Sequence, residues 1–96
     1  MEDNAKKVAE LLKILANEHR LLILCALIKG SKAVAQIAEY VPKITQSALS
    51  QHLALLRAAG ILQSDKHGLN VIYSIADHRV EAVIQALQDS YCDTGI

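Results

Sequence analysis

Ninety-six residues, 52% of them apolar, make one small domain near the lower end of what buries enough surface to fold alone. Ten basic residues balance ten acidic ones, which argues against indiscriminate nucleic-acid binding, and no apolar run approaches the roughly 20 residues of a membrane span. The opening MEDNAKK leads into no apolar signal-peptide core, so the expected location is the cytoplasm.

Residues 5 to 16 set Val8, Leu11, Leu12 and Leu15 on one side and Lys6, Lys7, Glu10 and Lys13 elsewhere, the pattern of an amphipathic helix. Asn17 can cap a second helix over 18–29, with Glu18 in its first turn, Lys29 in its last and Gly30 as the stop. Its LLILCALI run is apolar almost all round, so it is expected to be the central strut of the core. A third helix fits Val34 to Tyr40, since Pro42 disfavours helical geometry at Val41.

Only Pro42, Lys43 and Ile44 then separate it from Thr45, whose hydroxyl can cap a fourth helix running to residue 59, with Gly60 as the left-handed residue after it. Leu49, Leu53 and Leu56 point one way; Gln46, Ser47, Ser50 and Gln51 point another, with short groups suited to base edges and phosphates. Two helices joined so tightly, the second with a polar face, match a helix-turn-helix over about 34–59.

Next, ILQSDKH and VIYSI flank Gly68, Leu69 and Asn70, a hairpin over about 61–75 with Lys66 and His67 near its tip. A basic hairpin directly after a reading helix is a wing. Asp77 can cap a last helix to Cys92, striped by Val80, Val83, Ile84, Leu87 and Tyr91. This stripe and that of the first helix need partners, and pairing across a two-fold axis would supply them. The expected fold is therefore mainly α: one winged helix-turn-helix domain over 1–96, five helices plus a two-stranded wing, dimerising through its first and last helices.

Charge is unevenly placed: residues 40 to 76 hold Lys43, Arg57 and Lys66 against Asp65, with His52 and His67, whereas residues 77 to 96 hold Arg79 against Asp77, Glu81, Asp89 and Asp93. Without Trp or Phe, and with three scattered tyrosines, the chain lacks a stacking platform for single strands, which leaves duplex DNA. The expected major-groove residues are Gln46, Ser47, Ser50, Gln51 and His52, with Gln51 reading a base edge; His52 could equally pack or bond a phosphate. Lys43, Arg57 and Lys66 are expected on phosphates, with His67 beside them at the wing.

The segments KILANEHRLLILCALI, QSALSQHLALLRAAGIL and VIYSI resemble the ArsR/SmtB family of bacterial winged-helix regulators over nearly the whole chain. Ser47, Ser50, His52, Leu53, Leu56, Ala59, Gly60 and Ile61 correspond to that family's reading helix running into the wing. The resemblance implies a homodimer on an imperfect palindromic operator, released by an inducer. The family's metal sites are not matched: VAQIAEY stands where the third-helix thiolate motif would lie, and Asp77 is followed directly by His78, with no second histidine on the last helix. Zinc wants three or four protein ligands, so no metal ligand is assigned.

Cys25 and Cys92 match the dithiol, BigR/SqrR/HlyU-like branch, which implies sensing of reactive sulfur or oxidant by linking the two sulfurs. Read from the residues alone, either cysteine is equally a small buried apolar side chain, and aliphatic neighbours around Cys25 and Asp89 and Asp93 near Cys92 disfavour thiolates. Two other readings remain: a metal-responsive repressor of the same family, and a winged-helix interaction module that no longer reads DNA, motivated by the zero net charge. No Ser-His-Asp order, phosphate loop or paired acid site stands out, so neither catalytic residues nor a cofactor is assigned.

Overall fold

The computed structural model describes residues 2–91. Its elements are α1 (Glu2–Leu15), α2 (Glu18–Ile28), β1 (Lys32–Ala33), α3 (Val34–Ala38), α4 (Gln46–Ala58), β2 (Leu62–His67), β3 (Asn70–Ile75) and α5 (His78–Ser90). This is a winged helix-turn-helix of five helices and a small sheet.

Three helices start on side-chain caps that the sequence specifies. Asn17 Oδ1 accepts from the Arg20 N–H at 3.1 Å, Thr45 Oγ1 from the Ala48 N–H at 3.0 Å, and Asp77 Oδ1 from the Arg79 N–H at 2.9 Å. Each satisfies one of the N–H groups a helix start leaves unpaired. After α4, Gly60 takes a φ of +78° and the Ile61 N–H reaches back to the Leu56 carbonyl at 3.0 Å, so the chain leaves the helix in a left-handed turn.

α2 is the strut: Ile23 to Leu27 are buried on five successive positions. Around it close Leu15 of α1, Ile37 of α3, Val41, Leu49, Leu53 and Leu56 of α4, Ile61 and Leu62 at the start of the wing, and Val80 and Ile84 of α5. One layer of helices thus surrounds a central helix, and no buried side-chain polar atom among the described residues lacks a partner.

Several features differ from the sequence-based expectation: α1 starts at Glu2 rather than residue 5, and α5 ends at Ser90, short of the expected limit near Cys92, with Tyr91 as its C-cap. α3 ends at Ala38 rather than Tyr40, because the Tyr40 and Val41 N–H groups turn to the Ile37 and Ala38 carbonyls, tightening the chain before Pro42. The sheet has three strands rather than two: β1 pairs antiparallel with β3, Lys32 opposite Tyr73 and Ala33 opposite Ile72, giving the order β1-β3-β2. The two-residue β1 is too short to show alternation, and its partner lies far along the chain. The hairpin itself pairs Leu62 with Ile75 through His67 with Asn70, closed by Gly68 at φ +62° and Leu69. Glycine at the first central position of a two-residue loop suits the twist of the flanking strands.

Candidate DNA-reading surface and thiol site

α4 separates its side chains cleanly. Leu49, Leu53 and Leu56 are at most 1% exposed, while Gln46, Ser47, Ser50, Gln51, Ala54 and Arg57 all face solvent. Among the described residues, none of the exposed polar groups on this face carries a hydrogen bond to another part of the chain except through the Thr45 cap at its start. Lys43 precedes the helix at φ +62°, a left-handed conformation that costs an L-residue roughly 1–2 kcal/mol. Lys66 and His67 are exposed near the wing tip, and Leu69 at that tip is 99% exposed.

His52 behaves differently from its neighbours on α4. It is half-buried, its Nδ1 accepts from Arg20 Nε at 3.3 Å, and its ring meets that of His19 edge-on with centroids 5.6 Å apart. Burial first, then the charges of Arg20 and His19, pull its pKa below the ordinary histidine value. Its ring therefore leans on α2 rather than standing out with Gln51.

Cys25 is 7% exposed on α2, facing α5: Gln88 Nε2 donates to the Cys25 carbonyl at 3.4 Å. Burial raises the thiol pKa, against smaller downward pulls from Gln88 and Lys29. At neutral pH Cys25 is thus a protonated thiol. Cys92 lies outside the described residues. Among the described residues no three His, Cys, Asp or Glu side chains gather as a metal site requires. Asp77 is committed elsewhere, to the α5 cap and to Arg79 at 2.9 Å, which holds its carboxyl below the usual range.

Residues 17–64 match the model of the bacterial regulatory protein, arsR family. Over 95 residues the chain is 41% identical to the transcriptional activator HlyU of Vibrio cholerae, an alignment spanning 99% of this chain and 87% of that one. This chain belongs to the ArsR family. The structure of reduced HlyU from Vibrio cholerae superposes with a TM-score of 0.89 at 41% identity, covering 96% of both chains. That of the transcriptional repressor BigR from Xylella fastidiosa does so at 0.85 and 32% identity, covering 96% of this chain and 93% of the other. The protein is a DNA-binding transcriptional regulator of the HlyU and BigR type, not an enzyme.

On this ArsR-family scaffold Gln46, Ser47, Ser50 and Gln51 share one exposed face of α4, with Arg57 at its margin, while Lys43 sits in the turn before it and Lys66 and His67 on the wing. Two participants escape sequence reasoning: Arg20, which reaches His52 from 32 residues away, and Gln88, which reaches Cys25 from 63 residues away. Away from both sites, the Tyr40 ring lies under Lys29 and Lys32, with the ammonium groups 5.3 and 5.5 Å from its centroid, a contact equally absent from the sequence pattern. Periodicity records which face of a helix is buried, not which polar side chain of another helix lies across from it.

Proposed function

We propose that this regulator is a homodimer that reads a palindromic operator with α4 and the wing, and that the sulfur state of Cys25 and Cys92 sets its hold on DNA. The observation that carries the DNA reading is the division of α4, capped at its start and buried on its leucine face. That leaves Gln46, Ser47, Ser50 and Gln51 exposed and without a side-chain hydrogen bond among the described residues. Gln51 reads a base edge, and Lys43, Arg57, Lys66 and His67 hold phosphates.

Dimerisation is supported by the apolar side chains α1 and α5 leave uncovered: Val8, Leu12, Val83 and Leu87 are each 38 to 52% exposed, and Leu12, Val83 and Leu87 line one shared groove. A second copy covers them across a two-fold axis.

The switch is supported by the Gln88 to Cys25 bond, which holds the end of α5 against α2 four residues before Cys92 in sequence. With a peroxide, two thiols lose two electrons and two protons, a sulfur–sulfur bond forms and the peroxide leaves as two waters. With a sulfane-sulfur donor, two sulfur atoms enter; one stays between the cysteines as a trisulfide and the other leaves as hydrogen sulfide. Either link ties the strut α2 to the dimer helix and changes the spacing of the two reading helices, which must match half-sites about 34 Å apart. As a repressor, the role that BigR's name carries, the reduced dimer blocks a promoter; as a derepressor it displaces another repressor, one way to the activator role that HlyU's name carries.

The test is binding to a duplex selected by the protein from a random pool, measured reduced, after peroxide, and after a sulfane-sulfur donor. Treated protein is expected to bind at least about fivefold more weakly, and Cys25→Ser not to respond. Equal affinities sink the switch and leave DNA reading intact. Absence of salt-dependent binding to any genomic fragment favours an interaction module instead.

A further inference from the structure

Arg20 joins three helices. Its backbone N–H satisfies the Asn17 cap of α2, its Nη1 donates to the Ile14 carbonyl in the last turn of α1 at 2.8 Å, and its Nε donates to His52 Nδ1 on α4 at 3.3 Å. A guanidinium carries five N–H donors and no acceptor. The 3.3 Å bond therefore needs a bare lone pair on Nδ1, which puts the ring proton on Nε2, across the ring from Arg20. The bond to the Ile14 carbonyl fixes the guanidinium at its other end, so the fork cannot swing away without giving up its bond to a carbonyl in the last turn of α1.

Resting on the DNA reading above, we propose that Arg20 is a positioning residue that locks His52 in this single tautomer and aims its Nε2–H outward, as a neutral donor to an operator phosphate. His52 stands where this is useful, half-buried between exposed Gln51 and buried Leu53 on the reading helix. Among the described residues, the charged groups that act on it are Arg20 and His19, both from α2, and the Ile14 carbonyl of α1 bears on it through Arg20. A proton added to Nδ1 would break the Arg20 bond and set two cations side by side, in keeping with the lowered pKa of His52. His52 thus contacts DNA as a neutral group, and acid, which protonates the unfolded chain first, drains stability as pH falls through about 6.5 and below.

Nitrogen NMR of the free protein tests the lock without DNA. Wild type is expected to show one His52 tautomer, protonated on Nε2; Arg20→Met a mixture, titrating closer to the ordinary value; and Arg20→Lys, which keeps a cationic donor for Nδ1, a return toward the single tautomer. Binding to the selected duplex and to an unrelated one at pH 8 tests the contact. His52→Ala and Arg20→Met are each expected to weaken both duplexes by about five- to tenfold. The slope of affinity against salt should not change, because a neutral donor releases no counterion.

A slope flattened by about one in Arg20→Met with the tautomer intact would make Arg20 itself the phosphate contact and overturn the proposal. So would a lower melting temperature with tautomer and affinity unmoved, or a mixed tautomer in wild type. If Arg20→Met does not fold, Arg20→Lys and His52→Ala decide. Failure of wild type to bind either duplex sinks the DNA reading, and the phosphate contact with it, while the NMR result still decides whether Arg20 sets the tautomer.

Discussion

α2 and α4 start in the same way, Asn17 and Thr45 each accepting a backbone N–H from three residues on, yet they use their side chains differently. α2 buries five residues in succession, Ile23 to Leu27, whereas α4 buries only Leu49, Leu53 and Leu56 and turns its remaining arc to solvent. A helix enclosed on all sides is specified by packing at nearly every position. A helix enclosed on one face has its other face free for a ligand, so loss of stability and loss of function can be separated within it.

Four substitutions sharpen or break that contrast. In the strut, Leu24→Ala, at a fully buried position, should cost about 2–5 kcal/mol in a denaturant titration; a cost below that range would mean the core around α2 is loosely packed. On the exposed face of α4, Gln51→Ala should leave stability unchanged and cost about 1–3 kcal/mol of binding, relaxing preference at one base pair. Equal losses on selected and random duplexes would remove Gln51 as a reader.

Thr45→Ala removes the cap shared in kind by both helices and should lower stability by about 1 kcal/mol, read as a drop in melting temperature. Smallest is Lys43→Gly, which relieves the positive φ and should stabilise by up to about 1 kcal/mol. The same change should weaken binding on all sequences and reduce the salt slope by about one. A gain in stability with no change in binding would free Lys43 from any part in DNA contact and leave its strained backbone without a functional counterpart.

The polar positions Gln46, Ser47, Ser50 and Gln51 are legible because α4 is long enough for its leucines to mark one face, which assigns the other by elimination. Asn17, Thr45, Asp77 and Gly60 are legible for a similar reason: a cap acts within three or four residues, so its partners are neighbours in sequence. His52 sits at the border of the two faces, where a small rotation decides between solvent and core, and its outcome depends on Arg20 from another helix. The third strand was not legible either, since Lys32 and Ala33 become a strand only because β3 lies alongside them.

The sequence by itself determined the helix caps, the central position of α2, the division of α4 and the turn of the wing, all set by interactions spanning one or two helical turns or a hairpin. Tertiary structure alone decided that β1 joins the sheet beside β3, that Arg20 bridges His52 and the end of α1, and that Gln88 brings the end of α5 to Cys25. The Arg20–His52 and Gln88–Cys25 contacts join residues 32 and 63 positions apart, and their existence depends on how the helices pack around Ile23 to Leu27, which no local pattern records.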